Sequence, residues 1–305
     1  MIKKIILLIL LIIFIPYVVV NLFIKDEEIK FNYVSNMVVR VKRESSGRID
    51  KVPFEEYVTG VLAGEMPITF SMEALKAQAV AARTYVMKKM AYNKDKEYDV
   101  VDTVANQVYL DDEHLRTVWK EEYQTKINKI KMAVMATKGG YLAYDGKVAD
   151  IFYFSTSVGK TENSEDVFNI KLPYLRSVDS KWDKEVSPVF NDYFYFTLDE
   201  FYKKLNIPYQ DKIKVEILKT TSTGRIKELK INSKKFTSSE VFSALNLRST
   251  YFEIIQNGNE VKIITTGYGH GVGMSQYGAE GMARAGYTYD QILKHYYQGI
   301  EIKKI

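Results

Sequence analysis

The stretch Val58-Thr59-Gly60-Val61-Leu62-Ala63-Gly64-Glu65-Met66-Pro67 decides how the chain is read. Its first residues continue a helical pattern that starts at Phe54, and Gly64-Glu65-Met66-Pro67 interrupts that pattern before a second helix. The spacing predicts helices over 54–63 and 72–90, with Ser71 as N-cap and Glu73 in the first turn, where a carboxylate suits the helix dipole. Along the second helix Met72, Leu75, Ala79, Ala82, Val86 and Met90 recur every three or four residues, an apolar stripe that faces a core. Glu65 then falls where the chain turns, beside Met66, Pro67 and Ile68. Apolar neighbours that keep a carboxyl partly dry raise its pKa toward the range a general acid needs; a solvated loop glutamate would show the same spacing. Lys76 and Arg83, seven residues apart, point the same way along the second helix. They are either two cations for an acidic or polyhydroxyl ligand or the solvated face of an amphipathic helix.

Working outward, Ile5 to Ile24 is an apolar run interrupted by Pro16, Tyr17 and Asn21. At ~1.5 Å per residue it spans about 30 Å, the hydrocarbon thickness of a bilayer. A cleaved signal peptide would end in a small-x-small site, and Val18 to Ile24 holds no Ala, Gly or Ser. The expectation is a retained single-pass anchor over 1–28. Lys3 and Lys4 place the N-terminus in the cytoplasm and the rest of the chain outside it. The 305 residues carry 43 basic and 38 acidic side chains, a net charge of +5, and no cysteine. Disulfide scaffolds, thiol nucleophiles and cysteine-based zinc sites are excluded, and the basic bias is too dilute for a nucleic-acid binder.

Beyond the anchor, a strand pair is expected at 37–42 and 48–52, a helix from about 115 to 137, and a hairpin of 141–144 with 147–155 around Asp145-Gly146. Residues 191–262 follow a different pattern, rich in Lys, Thr and Ser. Two capping boxes there, Thr197 with Glu200 and Thr237 with Glu240, each open a short helix that a hairpin follows. The fold class expected is α+β, with mixed helices and antiparallel hairpins forming a grooved core over 29–190 and 263–305, and a small α+β module inserted at 191–262.

Ser155-Thr156-Ser157-Val158-Gly159-Lys160-Thr161-Glu162-Asn163 is dense in hydroxyls and suits saccharide hydrogen bonding. It lacks the upstream glycine of a phosphate loop, because position 154 is Phe154. The glycines of Gly267-Tyr268-Gly269-His270-Gly271-Val272-Gly273-Met274-Ser275-Gln276 imply a tight loop before a helix. There His270 either handles a proton or packs the loop. His114, His270 and His295 lack the spacing of a zinc protease, and neither a metal nor a cofactor is expected.

Together with Glu73-Ala74-Leu75-Lys76-Ala77-Gln78-Ala79-Val80-Ala81-Ala82-Arg83-Thr84-Tyr85, the opening stretch resembles the signature of the stage II sporulation protein D family. Ser155-Thr156-Ser157, Thr161-Glu162-Asn163-Ser164-Glu165-Asp166, Pro173-Tyr174-Leu175-Arg176-Ser177-Val178 and the His270 loop resemble its later motifs, in the same order. The resemblance implies a lytic transglycosylase of forespore engulfment, on the mother-cell membrane. It would cleave MurNAc-GlcNAc bonds of glycan strands already stripped of stem peptides, leaving 1,6-anhydroMurNAc ends. It also implies stage II sporulation proteins P and M as partners and Glu65 as catalytic acid/base. Lys76, Arg83, Ser155, Ser157, Glu162, Tyr174, Arg176, His270 and Gln276 are carried over as substrate contacts. Some family members bind zinc through Cys and His near the Ser-Thr-Ser strip; Phe152, Tyr153 and Phe154 stand there in this chain, and that site is not carried over. One carboxylate suffices for such chemistry because the muramic 6-hydroxyl attacks within its own substrate. The alternative reading is a glycan-binding module that activates a partner amidase without cutting.

Overall fold

The computed structural model describes residues 36–305 together with Ile12, Phe14, Ile15 and Ile29. Apart from three of its positions, the apolar run expected to anchor the chain lies outside the described residues. Among those described, no helix is long and apolar enough to cross a membrane.

Strands β1 (Val38–Lys42) and β2 (Ile49–Pro53) pair antiparallel, as their sequence pattern requires, and helices α1 (Phe54–Glu65) and α2 (Met72–Tyr92) follow. β3 (Val100–Val101) lies parallel to β1. The helix expected over 115–137 is two helices, α3 (Asp112–Trp119) and α4 (Tyr123–Ala136), parted at Lys120, whose φ of 48° is left-handed. β4 (Gly140–Tyr144) and β5 (Lys147–Val148) close the Asp145-Gly146 hairpin, both turn residues at positive φ as a type I′ turn demands. The second arm stops at Val148 rather than running to 155. Tyr153–Phe154 is a separate strand, β6, which pairs elsewhere.

Short helices α5 (Ser164–Phe168) and α6 (Asp183–Val186) lead to β7 (Asn191–Thr197) and α7 (Leu198–Lys204). Then come β8 (Val215–Thr220), β9 (Ile226–Ile231), β10 (Lys234–Thr237), α8 (Ser238–Leu245), β11 (Phe252–Asn257) and β12 (Glu260–Thr266). Both capping boxes form, Thr197 with Glu200 and Thr237 with Glu240. The chain ends through β13 (Met274–Ser275), α9 (Gln276–Arg284), α10 (Tyr289–Tyr296) and β14 (Glu301–Lys304). The class is mixed α+β, with helices over small, mostly antiparallel sheets.

Helix α2 is the hub. Ala74, Ala77, Ala79, Ala81 and Ala82 are fully buried, and small side chains on several faces let α1, α4, α9, α10 and β4 all approach it. The apolar cluster around it runs from Val39 and Phe54 to Leu293 and Tyr296. A second cluster, among them Leu198, Phe201, Leu229, Val241 and Val261, draws only on residues 194–263. Ser71 occupies the N-cap position of α2, yet its hydroxyl does not cap. It reaches Glu280 Oε1 at 3.2 Å, and Glu280 Oε2 accepts from the Ser71 N–H at 2.6 Å.

Arg83 departs from expectation. It has no exposed surface, and its Nη2 meets Glu55 Oε2 at 2.8 Å and its Nη1 the Gly140 carbonyl at 3.0 Å. Glu55 Oε1 in turn accepts from the Gly139 N–H. This buried pair clamps α1, α2 and the turn before β4 together. It leaves the guanidinium no path to a ligand, so the placing of Arg83 among substrate contacts is corrected. Removing one partner of such a pair leaves the other charged and dry, which costs about 3–5 kcal/mol. Arg83→Ala is therefore expected to lower the urea unfolding midpoint sharply. The double change Arg83→Met with Glu55→Gln lowers it far less, because no lone charge remains.

Candidate active site

Glu65 is the last residue of α1, half-buried, and not in a loop between helices. What faces it is set by the segment 102–111, which lies across α1. Gly60 and Gly64, one turn apart, make the crossing possible. A methyl on Gly64 would stand 2.5 Å from the Val108 carbonyl oxygen, and one on Gly60 would stand 2.4 Å from that of Leu110. At this distance the Val108 N–H donates to Glu65 Oε1 at 2.7 Å. From the other side, Gln276 at the start of α9 donates its Nε2 to the Glu65 carbonyl at 3.1 Å. Burial pushes the Glu65 carboxyl above its ordinary pKa, while the Val108 N–H and the Gln276 amide pull it back down.

Three tyrosines feel the Glu65 charge: Tyr57 on α1, Tyr85 on α2 and Tyr153 on β6. Gln107 joins two of them, since Tyr57 O–H donates to its Oε1 at 3.1 Å and its Nε2 donates to the Tyr153 oxygen at 2.8 Å. Asn106 Nδ2 donates to the Tyr85 oxygen at 3.1 Å. The parallel pairing of β6 with β13 joins this wall to the start of α9: Phe154 stands opposite Ser275, so Ser155 and Gln276 emerge side by side. The Ser155 carbonyl accepts from Ser275 Oγ and from the Tyr277 N–H.

Of the other residues singled out in the sequence, Lys76 is paired with Glu73 at 2.6 Å and lies 6.0 Å from the Tyr289 ring. Ser155 is half-buried, but the rest of the hydroxyl strip points inward. Ser157 is fully buried, with its N–H and Oγ bound to Asp183 at 2.8 and 2.9 Å, so it is not a free saccharide contact. The same Asp183 also accepts from Ser180 and Ser275. Glu162 too is fully buried, 3.3 Å from Arg225 Nε and hydrogen-bonded to Thr223, and it ties the chain near α5 to the turn between β8 and β9. Tyr174 is 5% exposed, with its hydroxyl accepting from the Asp150 N–H and its ring against Tyr144. Arg176 forms a two-pronged pair with Glu165 and also reaches Ser164 Oγ at 3.0 Å. For Ser157, Glu162 and Tyr174, burial corrects the expectation of direct glycan contact.

His270 sits among Phe152, Phe154 and Phe168, its Nδ1 accepting from the Val272 N–H. Burial first, and nearby Arg225 second, push its pKa down to about 4. A ring held neutral in this way packs the glycine loop. Gly271, at φ +87°, admits the close approach, since a methyl there would lie 2.8 Å from Glu162 Cγ. A cleft of about 600 Å³ lies beside His270, lined by Val167, Lys227, Ser238 and Phe242 among others; Glu65 is not part of its lining.

Sequence reasoning missed Asn106, Gln107 and Tyr153. A polar Asn-Gln pair within a loop carries no periodicity, and β6 is two residues long. Within a helix, glycine to alanine normally adds about 1 kcal/mol of stability. At Gly64 the sign should reverse: Gly64→Ala is expected to cost about 1–3 kcal/mol through overpacking against backbone. The displaced loop would also speed exchange of the Val108 amide hydrogen, read by hydrogen–deuterium exchange.

The family described as SpoIID, stage II sporulation protein, matches residues 42–144, which include Glu65 and the loop that bonds it. Stage II sporulation protein D of Bacillus subtilis (strain 168) is 41% identical over 283 residues, 91% of this chain and 81% of that protein. Its counterpart in Bacillus amyloliquefaciens is 42% identical over 275 residues, 88% of this chain and 80% of its own. An amidase enhancer of Bacillus subtilis (strain 168) is 31% identical over 296 residues, 79% of this chain and 39% of that protein. Likeness of this depth, spread across four-fifths of the two sporulation proteins and through the residues around Glu65, places the chain in the stage II sporulation protein D family.

Proposed function

We propose that the protein is a lytic transglycosylase that cuts peptidoglycan glycan strands lacking stem peptides, with Glu65 as its single acid/base. The observation that carries this reading is the half-buried carboxyl of Glu65 at the end of α1, its Oε1 held by the Val108 N–H at 2.7 Å. Among the described residues, the groups that move its pKa are its own burial and two amide donors, and no carboxylate is one of them. A hydrolytic glycosidase uses a pair of carboxyls about 5–9.5 Å apart, one of them to activate water or attack the sugar. A site with one carboxyl fits a reaction in which the substrate supplies its own nucleophile.

In that reaction Glu65, protonated because it is partly dry, gives its proton to the departing GlcNAc oxygen as the glycosidic bond breaks. The carboxylate then takes the proton of the muramic 6-hydroxyl as that oxygen bonds to the anomeric carbon, and 1,6-anhydroMurNAc leaves with Glu65 reset. Ser155, Lys76 and Arg176, none of them fully buried, stand as candidate substrate contacts, while Gln276 is buried with its amide on the Glu65 carbonyl. The reading extends to the whole chain: an anchor over 5–24, a catalytic unit outside the cytoplasm over 29–190 and 263–305, and an inserted module at 191–262. It also extends to sporulation engulfment as the setting, with stage II sporulation proteins P and M as partners. The 194–263 apolar cluster supports the module.

A second reading, a glycan grip that activates a partner amidase, is favoured by the likeness to the amidase enhancer. Mass spectrometry of stripped glycan strands incubated with the protein separates the two. Anhydro ends that Glu65→Gln reduces by about 100-fold or more support the enzyme. Hydrated ends would replace it with a hydrolase, and binding without cleavage would favour the grip.

The direction of the Glu65 shift gives two signs. Cleavage needs the protonated form, so kcat/KM should fall as pH rises through the raised pKa. A carboxyl whose folded pKa lies above its unfolded one supports the fold most fully at low pH, and that support is lost as pH climbs from the unfolded value through the folded one. Glu65→Gln should therefore be as stable as the parent near pH 4 and slightly more stable at pH 8, as thermal unfolding at both pH values would read.

A further inference from the structure

Ile29 lies against α4. Its N–H donates to Asn128 Oδ1 at 3.0 Å, and its carbonyl accepts from Lys131 Nζ at 3.0 Å. The apolar run read as an anchor ends at Ile24, five residues earlier. However residues 25–28 are arranged, five links of chain span at most ~18 Å. With Ile24 in the hydrocarbon, Ile29 and the helix that holds it stand within that reach of the bilayer's apolar core, and the headgroup layer takes about 5–7 Å of it. One face of α4 is uncovered there. Ile127, Ile130, Ala133 and Val134 are buried, and the helix packs on α1 and α2. Met132 and Met135 are 52% and 48% exposed. Met132 lies one turn beyond Asn128, and Met135 one turn beyond Lys131, so the two methionines continue the face on which Ile29 rests.

The turn that ends α4 adds to this face. The Gly139 carbonyl accepts from the Ile305 N–H at 2.9 Å, and Ile305 is 60% exposed. Lys138 precedes that glycine, and Lys304 stands opposite Gly140 in the pairing of β14 with β4. Both lysines are exposed, and neither pairs with an acid among the described residues. The acids nearby are placed elsewhere. Glu121 and Glu122 stand at the far end of α4, about 20 Å along the helix from Met135, and Glu301 is paired with Lys303 at 3.3 Å. We propose that Met132, Met135 and Ile305, rimmed by Lys138 and Lys304, rest on the phospholipid surface, the apolar groups among the upper acyl carbons and the lysines at anionic headgroups. The proposal rests on reading residues 5–24 as an anchor, whose short link leaves α4 no other place. An apolar stripe loses water at such an interface, and cations beside it meet a negative surface. The helix that ends in Glu65, α1, packs against α4, one helix spacing of about 8–10 Å away. Docked in this way, the catalytic unit is held close above the membrane instead of swinging on its link.

The test uses the full chain in vesicles of phosphatidylethanolamine and phosphatidylglycerol. The chain has no cysteine, so Met132→Cys, Met135→Cys and a control on β10, Lys235→Cys, each carry a single nitroxide label. The Lys235 side chain is 59% exposed, and all three changes are on the surface, where the fold tolerates them. Paramagnetic resonance compares the access of oxygen, which concentrates in lipid, with that of a water-soluble nickel chelate. The oxygen-to-nickel ratio at both methionine positions is expected to exceed the control by about fivefold or more, as for side chains seated in the interface. In phosphatidylcholine vesicles it should fall toward the control, because the lysines lose their partners; a ratio unchanged there would strike the lysines from the proposal. Chains that stay with the vesicles through an alkaline carbonate wash, yet give the control's ratio at both positions, would overturn the proposal and leave the anchor standing. Labels shielded from both reagents would mean a protein contact in place of lipid and would overturn it as well. Chains that wash off would sink the anchor reading and the proposal with it. The acid/base role of Glu65 is decided separately, by the glycan products.

Discussion

The crossing of the 102–111 segment over the Gly60 and Gly64 face of α1 is the contact on which the site depends. Backbone presses against backbone there, with no room for a side chain on either glycine. That single approach delivers the Val108 N–H to the Glu65 carboxylate and places Gln107 between two tyrosines from different elements. A carboxyl at a helix end would otherwise lie open to water, where its pKa stays ordinary. Covered by the loop, it is dry enough to hold a proton and bonded enough to release one. The opposing effects of burial and amide donors on Glu65 express that balance.

The same physics explains why several polar residues that look like ligand contacts in the sequence serve the fold instead. Arg83 and Glu162 are buried ionisable groups, as is Asp183, which the sequence did not single out, and each is held by donors or an opposite charge drawn from distant segments. Arg83 binds α1 to the turn before β4, Asp183 gathers Ser157, Ser180 and Ser275, and Glu162 meets Arg225 from the far side of the chain. Sequence position supplies the residue type but not the direction in which it points. Arg83 is buried because neighbours pack against the middle of α2 on several sides, while Lys88, nearer the end of that helix, stays 41% exposed.

Where local chemistry decides structure, the sequence was legible. The two capping boxes, the Asp145-Gly146 turn and the helix break before Pro67 all rest on interactions within a few residues, and all formed. Glu65 was legible as a carboxyl with apolar neighbours. Illegible were the features that need a partner far away in the chain. Lys120 in a left-handed conformation divides a pattern that reads as one helix. The strand at Tyr153–Phe154 exists only because Met274–Ser275, far on in the chain, lies beside it. Asn106 and Gln107 sit in a loop with no periodicity, yet they hydrogen-bond tyrosines from α1, α2 and β6.

His270 shows how geometry decides between two uses of one residue type. An imidazole in a glycine-rich loop could carry a proton at neutral pH, but this one is enclosed by three phenylalanine rings with Arg225 nearby. Both influences disfavour its charged form, and its pKa falls to about 4. A group that stays neutral through the physiological range cannot alternate between acid and base there. Its Nδ1 instead anchors the turn at Val272, and the loop is thereby held against Glu162 and Arg225. On the proposed reading, with the histidine committed to packing and Arg83 and the buried acids committed to the fold, the group left to move a proton is Glu65. The polarity around that side chain is set by the Val108 N–H and the Gln276 amide, which stabilise its charged form without capturing the proton themselves.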